Sequence, residues 1–79
     1  MDSKDKNRLE QELIEVKYRI QVLDTIENKL FQMKTIAEYV SDNDLSSEEM
    51  LSLNIKINRL KEKIQTLEEE IREIDNIQK

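Results

Sequence analysis

The chain contains no cysteine, histidine, glycine, proline or tryptophan. Each absence removes a class of chemistry. Without Cys or His there is no disulfide framework, zinc finger, thiol nucleophile, haem ligand or imidazole base. Without Gly there is no phosphate-cradling loop of the Walker or dinucleotide type. No run approaches the ~18 apolar residues of a membrane span, and the amino terminus lacks the apolar core of a signal peptide. The expectation is a soluble cytoplasmic protein without a cofactor, a bound metal or a membrane partner. At 79 residues it is one domain at most, able to bury about 60% of its unfolded surface.

What is present is charge, at 39% of residues, with apolar residues set among it. Periodicity separates a long-helix protein from a disordered one. In the second half Met50, Leu53, Ile57, Leu60, Ile64, Leu67, Ile71 and Ile74 alternate spacings of three and four, an unbroken heptad seam. The first half gives Leu9, Leu13, Val16, Ile20, Leu23, Ile26, Leu30, Met33, Ala37 and Val40. One irregularity interrupts it. Ile20, Leu23 and Ile26 are spaced three and three, a stammer that either overwinds a coiled coil locally or turns the stripe toward another neighbour.

Between the halves lies Ser-Asp-Asn-Asp-Leu-Ser-Ser-Glu-Glu, residues 41–49. Asn43 is the best residue for a left-handed stop to the first helix where no Gly exists. Ser46 and Glu49 form a capping box, and Leu45 with Met50 a hydrophobic staple. The expected elements are helix 1 at about 4–41, a hinge at about 42–46 and helix 2 at about 47–78, with residues 1 to about 6 frayed. In an antiparallel hairpin, facing residues have numbers with a constant total. Val40 with Met50, Ala37 with Leu53, Met33 with Ile57, Leu30 with Leu60, Ile26 with Ile64, Leu23 with Leu67 and Val16 with Ile74 all total 90. Ile20 with Ile71 gives 91. The predicted fold is all-α, two long helices in an antiparallel coiled-coil hairpin. Ile and Leu alternating over 53–67 also suit a parallel two-stranded coil, in which helix 2 pairs with its own copy.

A single two-helix seam is thin cover for this many apolar residues, and small scaffolds without disulfides or metals gain stability by oligomerising. Ile14, Tyr18 and Val22 repeat every four residues off the predicted seam, and Phe31, Ile36, Tyr39, Leu51 and Ile55 gather near the hinge. Grouped exposed apolar residues mark contact surfaces. These eight are the candidate interaction surface, dimerising two hairpins into a four-helix bundle. The alternative is that they widen the seam within one chain.

Net charge is −5, unevenly spread. The hinge end (38–49) holds Glu38, Asp42, Asp44, Glu48 and Glu49 and no base. The middle holds Lys29, Lys34, Lys56, Arg59, Lys61 and Lys63 against Glu27 and Glu62. The far end is acidic again, its Lys17 and Arg19 facing the block from Glu68 to Asp75. The basic band has three readings: a nucleic-acid surface, a partner for the acidic end of another copy, or a solvated helix face. No base-stacking aromatic cluster accompanies it, which argues against nucleic acid. The hinge acids do not make a calcium loop, because counting from Asp42 the twelfth residue is Leu53. Carboxylate pairs such as Glu12 with Glu15 and Glu70 with Glu73 lack the water-excluded pocket that acid–base catalysis requires. The functional expectation is a non-enzymatic interaction protein that binds itself and another protein. The runner-up is a small nucleic-acid-binding regulator.

Overall fold

A computed structural model describes residues 2–77. It contains two helices, α1 over Ser3–Asp42 and α2 over Ser47–Ile77, packed antiparallel in a rod with extents of 65 × 17 × 13 Å. The expected end of helix 2 at about 78 lies outside the described residues, as does Met1.

Both helix starts are capped by side chains, because the first turn of a helix leaves backbone N–H groups without partners. At α1 the Asp2 carboxylate accepts from the Asp5 N–H at 2.9 Å, and Lys6 N–H reaches the Asp2 carbonyl at 3.1 Å. This cap holds residues 3–6 in the helix, where the sequence suggested fraying. At α2 the Glu49 N–H donates to Ser46 Oγ at 3.2 Å, as a capping box requires. The reciprocal half differs from expectation. The Glu49 carboxylate accepts from the Ser46 hydroxyl, also at 3.2 Å, so the pair closes on itself rather than on the Ser46 amide. Glu48 and Glu49 in this first turn also suit the positive end of the helix dipole.

The α1 terminus corrects another expectation. Asn43 is extended, with φ −127° and ψ 146°, and no residue among those described takes a positive φ. Asn43 instead donates its side-chain amide to the Tyr39 carbonyl at 2.8 Å. That bond satisfies a last-turn carbonyl without a left-handed residue, so the missing glycine costs nothing here.

The seam of α2 is the predicted one. Ile64 is buried, Leu53, Ile57, Leu60, Leu67, Ile71 and Ile74 are half-buried, and Met50 is exposed. The seam of α1 is not. Its inward residues are Glu15, Arg19, Val22, Ile26, Lys29, Met33, Ile36 and Val40, alternating four and three without interruption. Val22, at 4% exposed, is the most buried of the core residues, although the sequence had put it on the outer face. Leu9, Leu13, Val16, Ile20, Leu23, Leu30 and Ala37, all expected in the seam, are exposed. The cause is the irregularity at 20–23–26. A helix that keeps its regular repeat through Ile26 has Val22 and Arg19, not Leu23 and Ile20, on the face toward its partner. Polar contacts across the hairpin fit that rotation: Arg19 pairs with Asp75, and Tyr18 Oη donates to Glu70 at 2.8 Å.

The resulting core is small. Among the described residues Val22, Ile26 and Ile64 are buried, with Met33, Leu67 and Ile71 packed against them. Glu15, Arg19 and Lys29 occupy inward positions only half-buried, and the Arg19 guanidinium is paired with Asp75.

Candidate interaction surfaces

Two surfaces arise from this arrangement, one on each side of the α1 seam. The first is a bare apolar stripe. Leu9, Leu13, Val16, Ile20 and Leu23 keep heptad spacing over four helical turns, and each is 43–54% exposed. Leu23 and Ile20 follow the seam residues Val22 and Arg19 by one position. One residue turns an α-helix by about 100°, so the stripe is a second face beside the buried one. Farther along, Glu27 and Lys34 fall on the same line, with Leu30 between them.

The second surface lies on the opposite side, one residue before the seam. There a groove of about 960 Å³ runs between the helices, lined from Thr25 to Ile36 on α1 and from Lys56 to Leu67 on α2. Its apolar lining comes from Phe31, Ile36, Leu60 and Leu67. Three threonines add to this. Thr25, Thr35 and Thr66 line the groove with their hydroxyl protons given to the carbonyls of Gln21, Phe31 and Glu62 at 2.9, 3.0 and 3.1 Å. Lys29, Lys56, Arg59 and Lys63 line it as well, with Glu62 as the acid among them.

The predicted basic band is thus divided. Four of its members share the groove, whereas Lys34 pairs with Glu38 at 3.9 Å and Lys61 is exposed outside the lining. The apolar candidates are divided too. Ile14, Tyr18, Phe31, Tyr39, Leu51 and Ile55 are exposed, Ile36 is half-buried in the groove wall, and Val22 belongs to the core. The stripe from Leu9 to Leu23 was missed as a surface because it has the same spacing as a seam. Val22, four residues before Ile26, was the signal that a second set of positions competes for the partner.

At the far end of the groove side the Tyr18–Glu70 hydrogen bond joins the helices. It raises the Tyr18 pKa above 10.0, first because the phenol donates to Glu70, then through the carboxylate's charge and partial desolvation. Among the described residues no three Asp or Glu side chains converge to hold a metal ion, and no helix is long and apolar enough to cross a membrane. No family model, curated protein or solved structure matches the chain.

Proposed function

We propose that the chain is a non-catalytic interaction module that associates with a second copy of itself through the exposed stripe of α1, and in that form meets a protein partner. The observation that carries this is the stripe: five Leu, Ile or Val residues at uninterrupted heptad spacing, about half-exposed beside a three-residue core. An apolar line of that regularity is the kind of surface a neighbouring helix packs on. A second copy suits it. Run antiparallel about an axis at residue 18, Leu13 meets Leu23 and Val16 meets Ile20, so one stripe complements another under two-fold symmetry. Two hairpins joined in this way form a four-helix assembly, with helix 1 packing on both its neighbours.

The nucleic-acid alternative has weaker support. The clustered bases surround hydrocarbon rather than a bare phosphate-binding face, and acidic residues flank them at both ends.

The test is the double substitution Leu13→Glu/Ile20→Glu, compared with Asn58→Glu/Gln65→Glu on the exposed outer side of α2. Light-scattering mass at matched concentration is expected to fall for the α1 pair and stay unchanged for the α2 pair. Unchanged mass and helicity in the α1 pair would refute the assignment.

A further inference from the structure

The groove has a charge pattern that the stripe does not explain. On this side α1 presents Tyr18, Thr25, Gln32 and Tyr39 at intervals of seven, and α2 presents Glu49, Lys56, Lys63 and Glu70 in the same way. Tyr18 and Glu70 close one end of these columns through their hydrogen bond. Thr25, Gln32, Lys56 and Lys63 line the groove in the middle. Beyond it, toward the hinge, the columns continue to Tyr39 and Glu49. Here the surface changes sign. Tyr39 and Ile55 are 49% and 44% exposed, and the hinge beside them carries Asp42, Asp44, Glu48 and Glu49 and no base, whereas Glu38 pairs with Lys34 on the stripe side. One edge of the hairpin therefore holds an acidic patch with apolar residues next to a basic groove with apolar residues.

Such an edge complements its own copy. If a second hairpin runs antiparallel along it, the hinge patch of each lies over the groove of the other, and both contacts form together. The groove is centred near residue 30 of α1 and the hinge patch near 41, so the two-fold axis falls near Ile36, with Ile55 close by on α2. The separation is about 16 Å at ~1.5 Å per residue, within the length of the rod. We infer that the groove lined by Lys29, Lys56, Arg59 and Lys63 receives the acidic hinge end of a second copy, in a reciprocal contact separate from the α1 stripe. Opposite charge across the interface sets orientation and register, and the apolar residues of both patches supply buried area. A long polyanion fits less well, since acids bound the groove at the hinge and at Glu70. The stripe follows the seam by one residue and the groove column precedes it by one, so the two contacts lie on different sides of α1.

The inference does not depend on the stripe, and its test removes the stripe first. In the Leu13→Glu/Ile20→Glu background, sedimentation equilibrium should find a dimer at about 50 mM salt that weakens at least about tenfold at 500 mM, where the screening length drops to a few Å. Adding Lys56→Glu/Lys63→Glu, or separately Asp42→Lys/Asp44→Lys/Glu48→Lys, should leave each chain monomeric. Mixing those two chains should restore a heterodimer, because the acidic groove of one then meets the basic hinge of the other, and its acidic hinge meets a basic groove. A circular-dichroism spectrum checks that each variant is helical; should a reversal unfold the chain, Lys56→Gln/Lys63→Gln is expected to abolish the dimer instead. A second readout uses the otherwise unchanged chain, which has no Cys. Ile55→Cys, close to the axis, should cross-link to its copy under oxidising conditions at low salt and much less at high salt. A stripe-less hairpin that stays monomeric at low salt, or a mixture of reversed chains that fails to associate, would overturn the inference.

Discussion

The two helices spend similar amounts of apolar side chain in different ways. Helix α2 has one line of Leu and Ile, turned toward α1, and its outer positions from Lys56 to Glu73 are polar or charged. Helix α1 has two lines a single residue apart. One faces α2 and contains Glu15, Arg19 and Lys29; the other faces solvent and over residues 9–23 contains only Leu, Ile and Val. The more regular apolar line of α1 is thus the one its partner helix does not cover. A one-faced helix is complete with one neighbour, whereas a two-faced helix at about 100° has the geometry of a bundle member with two. That difference explains why the core holds three buried residues among those described.

The comparison breaks most visibly at Ile64, a buried residue of α2. Ile64→Ala should destabilise the protein by about 2–4 kcal/mol, read from denaturant unfolding, because it opens a cavity against Val22 and Ile26. Leu23→Ala, in the exposed line of α1, should cost well under half of that when measured at the lowest concentration and more as concentration rises. Equal, concentration-independent losses at both sites would erase the distinction between a covered line and a bare one.

A smaller effect comes from the contact that fixes the rotation of α1. The neutral Tyr18 phenol donates to Glu70, and its pKa is raised above 10.0. Its contribution is therefore present below the ordinary tyrosine pKa and is lost as pH climbs through the raised value. In a Tyr39→Phe chain the remaining tyrosine should ionise above pH 10, followed by tyrosinate absorbance, and Glu70→Gln should bring the midpoint back down. An unmoved midpoint would separate Tyr18 from Glu70 and remove one support for the observed rotation.

Much of the fold was legible because it rests on local signals. The Ser46–Glu49 cap, the α2 seam and the antiparallel turn follow from residue type and spacing over a few turns. Ile26 and Ile64 share the core as their numbers required, whereas Val16, Ile20, Leu23, Leu30 and Ala37 of the other expected pairs are exposed. The rotation of α1 was less legible. Leu9 to Leu23 and Val22 to Val40 each make a good heptad line, and spacing alone cannot say which one a partner helix takes. Polar contacts from Tyr18 and Arg19 to Glu70 and Asp75 accompany the choice, and these are visible only once both helices are in place. The groove was hidden for a similar reason. Its bases were counted as a band along the rod, whereas their division between the groove and its outside depends on which side of each helix they occupy. Asn43 shows the reverse case, a residue correctly singled out at the helix end that acts through its side-chain amide instead of its backbone.

The central claim is that one hairpin is an incomplete packing unit, and the solution mass tests it most directly. Sedimentation equilibrium on the unmodified 9.5 kDa chain should give a mass of two chains or more that falls on dilution together with a loss of helicity. A single species at the mass of one chain, helical and cooperatively folded at high concentration, would contradict it.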